Sequence, residues 1–211
     1  MDLKAATRQL SKDKVFKNLL DTLNFLDLPR SGNVYNELVK NIVYQQIAFK
    51  VADVIYGRFV AMFDNAMFKP EEVLAKEFEE LKAVGLSKSK TQYVINISQY
   101  FIDNNLLDYK WEQLSDDHIT KMLTEIKGVG TWTVDMILIF ELRRPDVFPV
   151  KDAAIQLAVK EIYKLESEKK ILINEMYKIA EAWQPYRSVA TLYLWAWCRN
   201  RAALKKSKSK K

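Results

Sequence analysis

Residues 126–133 read Ile126-Lys127-Gly128-Val129-Gly130-Thr131-Trp132-Thr133, and they stand between two segments with a helical hydrophobic pattern. Two glycines two residues apart let the backbone turn tightly and approach a ligand closely. We therefore expect a hairpin between two helices, with Thr131 as the N-cap of the second. Outward-facing N–H groups at a helix N-terminus suit a phosphate. An ordinary helix–helix connection would use the same glycines, so both interpretations stay open on this stretch alone.

A single carboxylate, Asp152, follows Gly130 by 22 residues, at the end of the run Val147–Lys151. It directly precedes a helical pattern, so its purely structural role is that of a helix N-cap. A carboxylate in that position is held rigidly, and the helix dipole favours its negative charge. The same anion can stabilise a developing positive charge or activate a water molecule. The two roles are compatible.

The rest of the chain also follows helical periodicity, and with only 5 Gly and 5 Pro it predicts an all-α fold. We see no pair of strands and no repeat. The predicted helices and breaks are Val15–Phe25 closing at Leu28–Gly32, Tyr35–Phe63 broken near Gly57, a helix opening at Pro70, a turn at Lys82–Ser87 with Ser87 capping Lys88–Phe101, a helix from Ser115 into the hairpin, and two long helices opening at Asp152 and at Pro185–Ser188.

Charge and cysteine content restrict the function classes. The net charge is +6, but the segment 205–211 holds five lysines, which leaves 6 − 5 = +1 for the remainder. This Lys-rich segment is interpreted as a disordered tail, or alternatively as a nonspecific DNA tether. The one cysteine, Cys198, excludes an internal disulfide, a multi-cysteine zinc site and a cysteine-ligated iron–sulfur cluster. No apolar run is long enough for a membrane span, and Met1–Lys14 is too polar for a secretory signal.

The hairpin followed by Asp152 resembles the helix-hairpin-helix (HhH-GPD) DNA glycosylase superfamily, and in particular its 3-methyladenine DNA glycosylase II branch. The similarity runs from about Leu26 to Ala203. It implies a single catalytic unit, 1–204, made of two helical lobes with the active cleft between them. One lobe spans about 34–144 and the other about 1–33 plus 145–204. The further matching motifs are Leu28-Pro29, Val39–Gln46, Leu81–Ser87 with Lys90, and Trp183–Ser188 with Ala190 and Trp195.

The resemblance assigns Asp152 to catalysis at the sugar. Trp132 occupies the place where bifunctional relatives carry a lysine that attacks the sugar, so a monofunctional enzyme without strand-nicking activity is implied. Trp132 and Trp195 match tryptophans of the base pocket, which attracts cationic alkylated purines through cation–π interaction. Met136 stands where a tyrosine can complete that pocket. The single histidine, His118, is interpreted as a solvated residue.

The resemblance also implies how DNA is held. Gly128, Val129, Gly130 and Thr131 of the hairpin contact the DNA backbone together with Lys127. Gln46 is the wedge that fills the gap left by a flipped base, and Gln45 supports it; a polar pair that faces solvent or caps a buried carbonyl is the alternative. A Na⁺ or K⁺ ion is expected at backbone carbonyls of Thr124, Ile126 and Val129.

These features predict a monofunctional DNA glycosylase of base excision repair that removes 3-methyladenine and 7-methylguanine. Alternatives on the same scaffold are hypoxanthine, etheno adducts or uracil as substrate, or a non-catalytic damage-binding module. We expect no cofactor other than the hairpin cation, duplex DNA with damaged bases as the partner, no membrane association, and a monomer. The expected location is the cytoplasm and nucleoid, or the nucleus in a eukaryote.

Overall fold

The computed structural model of this protein describes residues 2–23 and 32–208, with 202–208 described by their backbone alone. Within these residues the chain forms twelve α-helices and no β-strand, which confirms the predicted all-α class. A 3₁₀ turn covers Trp111–Gln113, and a π-helical turn at Ile137–Glu141 directly continues the ninth helix. The α-helices are α1 Leu3–Leu10, α2 Lys14–Thr22, α3 Val34–Tyr44, α4 Phe49–Val60, α5 Pro70–Leu74, α6 Phe78–Ala83, α7 Lys88–Asp103, α8 Asp116–Thr124, α9 Thr131–Met136, α10 Ala153–Ile162, α11 Lys169–Glu181 and α12 Arg187–Lys208.

The chain divides into two compact units. One is Pro29–Leu142, and the other combines Met1–Leu28 with Arg143–Lys211. These boundaries lie close to the lobe limits of about 34 and 144 expected from the sequence. We call the first the hairpin unit and the second the aspartate unit, after the glycine hairpin and Asp152 that they contain.

The hairpin unit is built around α3 and α7, which pack against each other and against an aromatic cluster. Tyr35, Phe59, Phe68 and Phe101 are all at most 1% exposed, and their rings meet at tilted or edge-to-face angles. The Tyr35 hydroxyl pairs with the Ser98 hydroxyl at 2.7 Å, so the only polar end of this cluster is satisfied. The rigid α3–α7 pair positions both the loop after α3 and the hairpin.

The aspartate unit has its own core, in which α10 packs along α12. Trp183 is completely buried, and its ring contacts Phe16 and Phe148. Its indole Nε1–H donates to Asp13 Oδ2 at 3.2 Å, while Asp13 Oδ1 caps the first turn of α2. One carboxylate thus joins a helix start to the centre of the core.

Three predicted helix starts are confirmed, because each N-cap side chain accepts a hydrogen bond from the first turn. Ser87 accepts from the N–H of Lys90, Ser115 from His118, and Asp152 from Ile155. Pro70 likewise occupies the first turn of α5. These signals are local in the sequence, which is why they could be interpreted without the fold.

The predicted helix Tyr35–Phe63 with a break near Gly57 is wrong. Gly57 lies inside α4, and the break falls at Gln45–Ala48, between α3 and α4. The dipeptide Gln45-Gln46 therefore lies in a loop and not within a helix. The sequence analysis also overlooked α11, which lies between the two predicted long helices.

The end of α2 and the C-terminal segment differ in part from expectation. Helix α2 ends at Thr22, with Leu23 in an extended conformation, and all of the predicted closing segment Leu28–Gly32 except Gly32 lies outside the described residues. The helical backbone of α12 continues to Lys208, past position 205, where we predicted that a disordered tail begins. In residues 2–23 and 32–208, no helix is both long and apolar enough to cross a membrane.

Candidate nucleic-acid interface and active site

The glycine hairpin joins α8 to α9 through a tight turn. The N–H of Val129 donates to the carbonyl of Ile126 at 2.9 Å, and Gly128 between them has φ +109°. Only glycine adopts this conformation readily. Gly130 has an ordinary extended backbone, with φ −99° and ψ 171°. Of the two glycines, only Gly128 therefore has a positive φ.

Thr131 was expected to cap α9, and this prediction is wrong. The N-cap is Gly130, whose carbonyl accepts the N–H of Val134 at 3.2 Å, and Thr131 is already the first helical residue. A glycine N-cap contributes no side-chain acceptor for the N–H groups of the first turn. These donors are the groups that the phosphate hypothesis requires.

Two residues of α7 fix the hairpin from its inner side. A Cβ atom at Gly128 would lie 2.2 Å from Cγ of Tyr93, so the backbone rests directly on the tyrosine ring. The Asn96 amide Nδ2 donates to the carbonyl of Lys127 at 3.0 Å. The sequence analysis missed both residues, because no local pattern connects α7 to a turn about thirty positions later.

The outer side of the hairpin is open. Apart from its chain neighbours, no described atom lies within 4 Å of a Cβ placed at Gly130. Thr131 and Lys127 are exposed, whereas Val129 is only 5% exposed and packs inward. Of the predicted DNA contacts, Val129 therefore presents no exposed side chain, and its N–H already donates to the Ile126 carbonyl.

The carbonyls of Thr124, Ile126 and Val129 belong to the end of α8 and the turn. The Ile126 oxygen already accepts one hydrogen bond, and the second lone pair of a carbonyl oxygen leaves room for a cation. Neutral carbonyl oxygens are suitable ligands for K⁺ or Na⁺. In the part of the chain that the structure describes, no cluster of three or more His, Cys, Asp or Glu side chains offers a metal site.

The loop between α3 and α4 carries the predicted wedge. Gln46 is exposed and has φ 56°, a left-handed conformation that costs a non-glycine residue about 1 kcal/mol. Gln45 points the other way, and its Nε2 donates to Oγ1 of Thr133 at 3.0 Å. Thr133 is 1% exposed and lies in α9. The two glutamines thus have separate environments, one anchored against the hairpin helix and one presented to solvent.

The two predicted pocket residues of α9 differ in exposure. Trp132 is half-buried, whereas Met136 is only 4% exposed. The π-helical turn begins immediately after Met136. Such turns widen a helix by one residue and occur frequently at functional sites.

Asp152 lies at the start of α10 in the aspartate unit, where two hydrogen bonds reach the same carboxylate oxygen. Its Oδ1 accepts the N–H of Ile155 at 2.9 Å and the indole Nε1–H of Trp195 at 3.2 Å. Both Asp152 and Trp195 are half-buried, while Lys151 is exposed. Trp195, predicted as a pocket wall, is therefore also a direct hydrogen-bond donor to the candidate catalytic carboxylate.

The segment leading to Asp152 is held by the first residues of α12. The completely buried Ser188 hydroxyl donates to the carbonyl of Arg144 at 2.7 Å and accepts the N–H of Val147 at 2.9 Å. Arg187 pairs with Asp146 through two hydrogen bonds of 2.7 and 2.8 Å. Fork-like pairs of this kind are geometrically specific. Arg187 and Ser188, quoted above only as part of a motif, thus position the approach to Asp152.

One surface cavity of the described residues is not lined by the predicted site residues. A cavity of about 580 Å³ in the described structure lies at α7 and α8 and is lined by Tyr100, Tyr109, His118, Lys121 and Glu125, among others. The Tyr100 hydroxyl donates to Glu125 at 2.9 Å, and burial raises the pKa of this phenol to about 12. His118 is exposed, as predicted.

A family model described as "HhH-GPD superfamily base excision DNA repair protein" matches residues 39–185. This protein therefore belongs to the HhH-GPD superfamily, which confirms the predicted family.

Among its relatives is DNA-3-methyladenine glycosylase 1 of Schizosaccharomyces pombe, 36% identical over 166 residues that cover 76% of this chain and 71% of the relative. Another is the putative DNA-3-methyladenine glycosylase YfjP of Bacillus subtilis, 32% identical over 169 residues; the matched region covers 77% of this chain and 58% of that relative. The structure of the S. pombe 3-methyladenine DNA glycosylase Mag1 with abasic DNA superposes with a TM-score of 0.81 and 31% identity, covering 90% of this chain and 95% of Mag1.

Proposed function

We propose that this protein is a monofunctional DNA glycosylase that hydrolyses the N-glycosidic bond of alkylated purines, such as 3-methyladenine and 7-methylguanine, in duplex DNA. The observation that carries the proposal is the Asp152 carboxylate, fixed at the start of α10 by a backbone N–H and by the Trp195 indole. Membership of a base excision repair family supports it. So do the names of the relatives, which are DNA-3-methyladenine glycosylases.

The chemistry needs an anion more than it needs an acid. When the C1′–N bond breaks, its electron pair leaves with the base, so an alkylated base that carried a positive charge departs neutral. Positive charge then develops on the sugar, where a preorganised carboxylate stabilises it. Water adds its oxygen to C1′ and gives up a proton, which Asp152 accepts and passes to solvent. The product is an abasic site with an intact strand.

Recognition of the base is assigned to the tryptophans. A cationic purine stacked on an indole gains about 0.5–2 kcal/mol through cation–π attraction. Trp132 belongs to the hairpin unit, whereas Trp195 and Asp152 belong to the aspartate unit, so their joint action on one base is part of the proposal. The interior position of Met136 supports a role beneath the pocket wall more than a direct contact with the base.

DNA binding is assigned to the hairpin and the glutamine loop. The N–H groups that follow Gly130 and the exposed Lys127 would hold phosphates near the damaged nucleotide. Gln46, exposed at the tip of its loop, would fill the vacated place in the base stack. A K⁺ or Na⁺ ion at the carbonyls of Thr124, Ile126 and Val129 would rigidify the turn.

The test is base release from a duplex carrying a single 7-methylguanine or 3-methyladenine, with borohydride present. We expect free base and no covalent protein–DNA adduct. A trapped adduct would show that an amine attacks the sugar and would contradict the monofunctional assignment. Release of hypoxanthine, ethenoadenine or uracil, but of no alkylated base, would change the substrate class. Binding without release of any base would identify a damage-binding module.

A further inference from the structure

Lys90 of α7 contacts the loop that carries Gln46. Its Nζ donates to the carbonyl of Val43 at 2.8 Å and to the carbonyl of Gln45 at 2.7 Å. Val43 lies in the last turn of α3, and Gln45 is the residue at which that helix ends. The last carbonyls of a helix have no partners within the helix and carry the negative end of its dipole. A half-buried ammonium group is therefore well placed to satisfy them.

The position of this contact explains why the chain turns where it does. Nothing in Gln45-Gln46-Ile47-Ala48 is a glycine or a proline, yet α3 stops and Gln46 takes a left-handed conformation. Lys90 holds the backbone on one side of Gln46 through the Gln45 carbonyl. The side chain of Gln45 is held as well, by its hydrogen bond to Thr133 of α9. Gln45 is thus fixed at its main chain and its side chain, and Gln46 is the next residue.

We propose that Lys90 is a positioning residue for DNA intercalation: by binding the carbonyls of Val43 and Gln45 it holds Gln46 in the conformation from which its side chain enters the base stack. The inference rests on the proposed function only in that Gln46 is taken to enter the duplex. Lys90 itself is half-buried beside the loop and acts through Gln46. Burial lowers the pKa of Lys90, and the two carbonyl acceptors compensate for the lost hydration of its charged form.

The variants separate the effect of losing the hydrogen-bond donors from the effects of losing the charge and of losing the fold. Lys90→Met keeps the aliphatic length and removes all donors, whereas Lys90→Gln keeps one amide donor group. Lys88→Met is the matched control, because Lys88 is exposed two residues earlier on the same helix. Gln46→Ala removes the wedge, and the double variant combines it with Lys90→Met. Thermal unfolding of each variant establishes the temperature range in which all are folded.

The first readout needs no bond cleavage. The probe is a duplex with 2-aminopurine beside a tetrahydrofuran abasic analogue, whose fluorescence changes when a side chain enters the stack. The second readout is single-turnover release of 7-methylguanine. We expect Lys90→Met to suppress the fluorescence change and to slow release by about 10-fold to 100-fold, as misplacement of a positioned group does. Lys90→Gln should lie between Lys90→Met and wild type, and Lys88→Met should match wild type.

The double variant decides between positioning and mere stabilisation. If Lys90 acts through Gln46, then Lys90→Met should have little further effect in the Gln46→Ala background, since coupled residues are not additive. An equal loss in both backgrounds, or an equal loss in Lys88→Met, would overturn the inference. A fluorescence change in Gln46→Ala as large as that of wild type would also overturn the inference. Because fluorescence is independent of cleavage, failure of the proposed glycosylase activity would be seen separately, as absence of base release by wild type.

Discussion

The hairpin and the start of α10 build their candidate sites from different atoms. At the hairpin the acting groups are main-chain N–H groups. Their position depends on the absence of a side chain at Gly128. At the start of α10 the acting group is the carboxylate of Asp152, and other side chains hold it. Each unit supports its own site: Tyr93 and Asn96 lie behind the hairpin, and Trp195 lies beside Asp152.

The contrast shows that the two sites should fail in different ways. A main-chain site loses function when the backbone is displaced, so its sensitive positions are those that control packing and φ. A side-chain site loses function when a charge or a donor is removed, even if the backbone does not move. The same chemical change, such as the addition of one methyl group, therefore has very different consequences in the two regions.

The largest expected effect is that of Asp152→Asn. The amide oxygen can still accept from Ile155 and Trp195, so the helix start persists, but the negative charge is gone. We expect single-turnover release of 7-methylguanine to become slower because its activation free energy rises by about 3–4 kcal/mol, the magnitude typical of a preorganised electrostatic contact. Affinity for an abasic-analogue duplex, measured by fluorescence anisotropy, should stay within twofold of wild type, a difference of about 0.4 kcal/mol. An equal loss of binding would mean that the two sites are not separable.

The second comparison sets Gly128→Ala against Gly130→Ala. At Gly128 a methyl group meets the Tyr93 ring and the φ of +109° disfavours alanine, so we expect a loss of about 3 kcal/mol in the free energy of unfolding. At Gly130 the space is open and φ is ordinary, so the loss should be about 1 kcal/mol or less. Urea denaturation measures both.

DNA affinity adds the functional half of this comparison. Gly130→Ala places a methyl group on the open side of the hairpin, where a phosphate would approach the backbone. We expect DNA binding to weaken by about 1 kcal/mol in a protein that stays folded under the conditions of the assay. Unchanged affinity would argue that the phosphate contact lies elsewhere, and an unfolded Gly130→Ala protein would contradict the open geometry.

A smaller effect is expected from Trp195→Phe. Phenylalanine keeps an aromatic face but lacks the N–H that donates to Asp152, so a loss of about 1.5 kcal/mol in transition-state stabilisation, and hence slower base release, is expected. Trp132→Phe is the matched change in the hairpin unit, where the proposed role is stacking only. Its loss should be less than about 1 kcal/mol. If both variants lose the same amount, the indole N–H of Trp195 has no separate role.

The features that could be predicted from the sequence are those that depend on local contacts. Caps such as Ser87, Ser115 and Asp152 are recognisable because donor and acceptor lie within three residues of one another. Gly128 and Gly130 marked a turn, but the sequence could not tell that one is required by packing and the other faces open space. That distinction depends on Tyr93, which the fold brings beneath the turn.

The break between α3 and α4 shows the limit of periodicity. Hydrophobic spacing continues past Gln45, so the local pattern favours one helix, and Gly57 was the natural place to expect an interruption. The actual break is held from a distance by Lys90 and Thr133. In the same way, the separation of 43 positions from Asp152 to Trp195 concealed their hydrogen bond.

The reactivity of the Cys198 thiol can report the charge at Asp152. It is the only cysteine in the chain, it is half-buried on α12, and its thiol donates to the carbonyl of Ala154 in the first turn of α10. Burial raises the pKa of this thiol, and the negative charge of Asp152 raises it further. Since only the thiolate reacts with alkylating reagents, labelling should be slow at neutral pH and should accelerate as the pH rises. In Asp152→Asn the midpoint of that pH profile should move to lower pH, so that iodoacetamide reports the charge at residue 152 without any DNA being present.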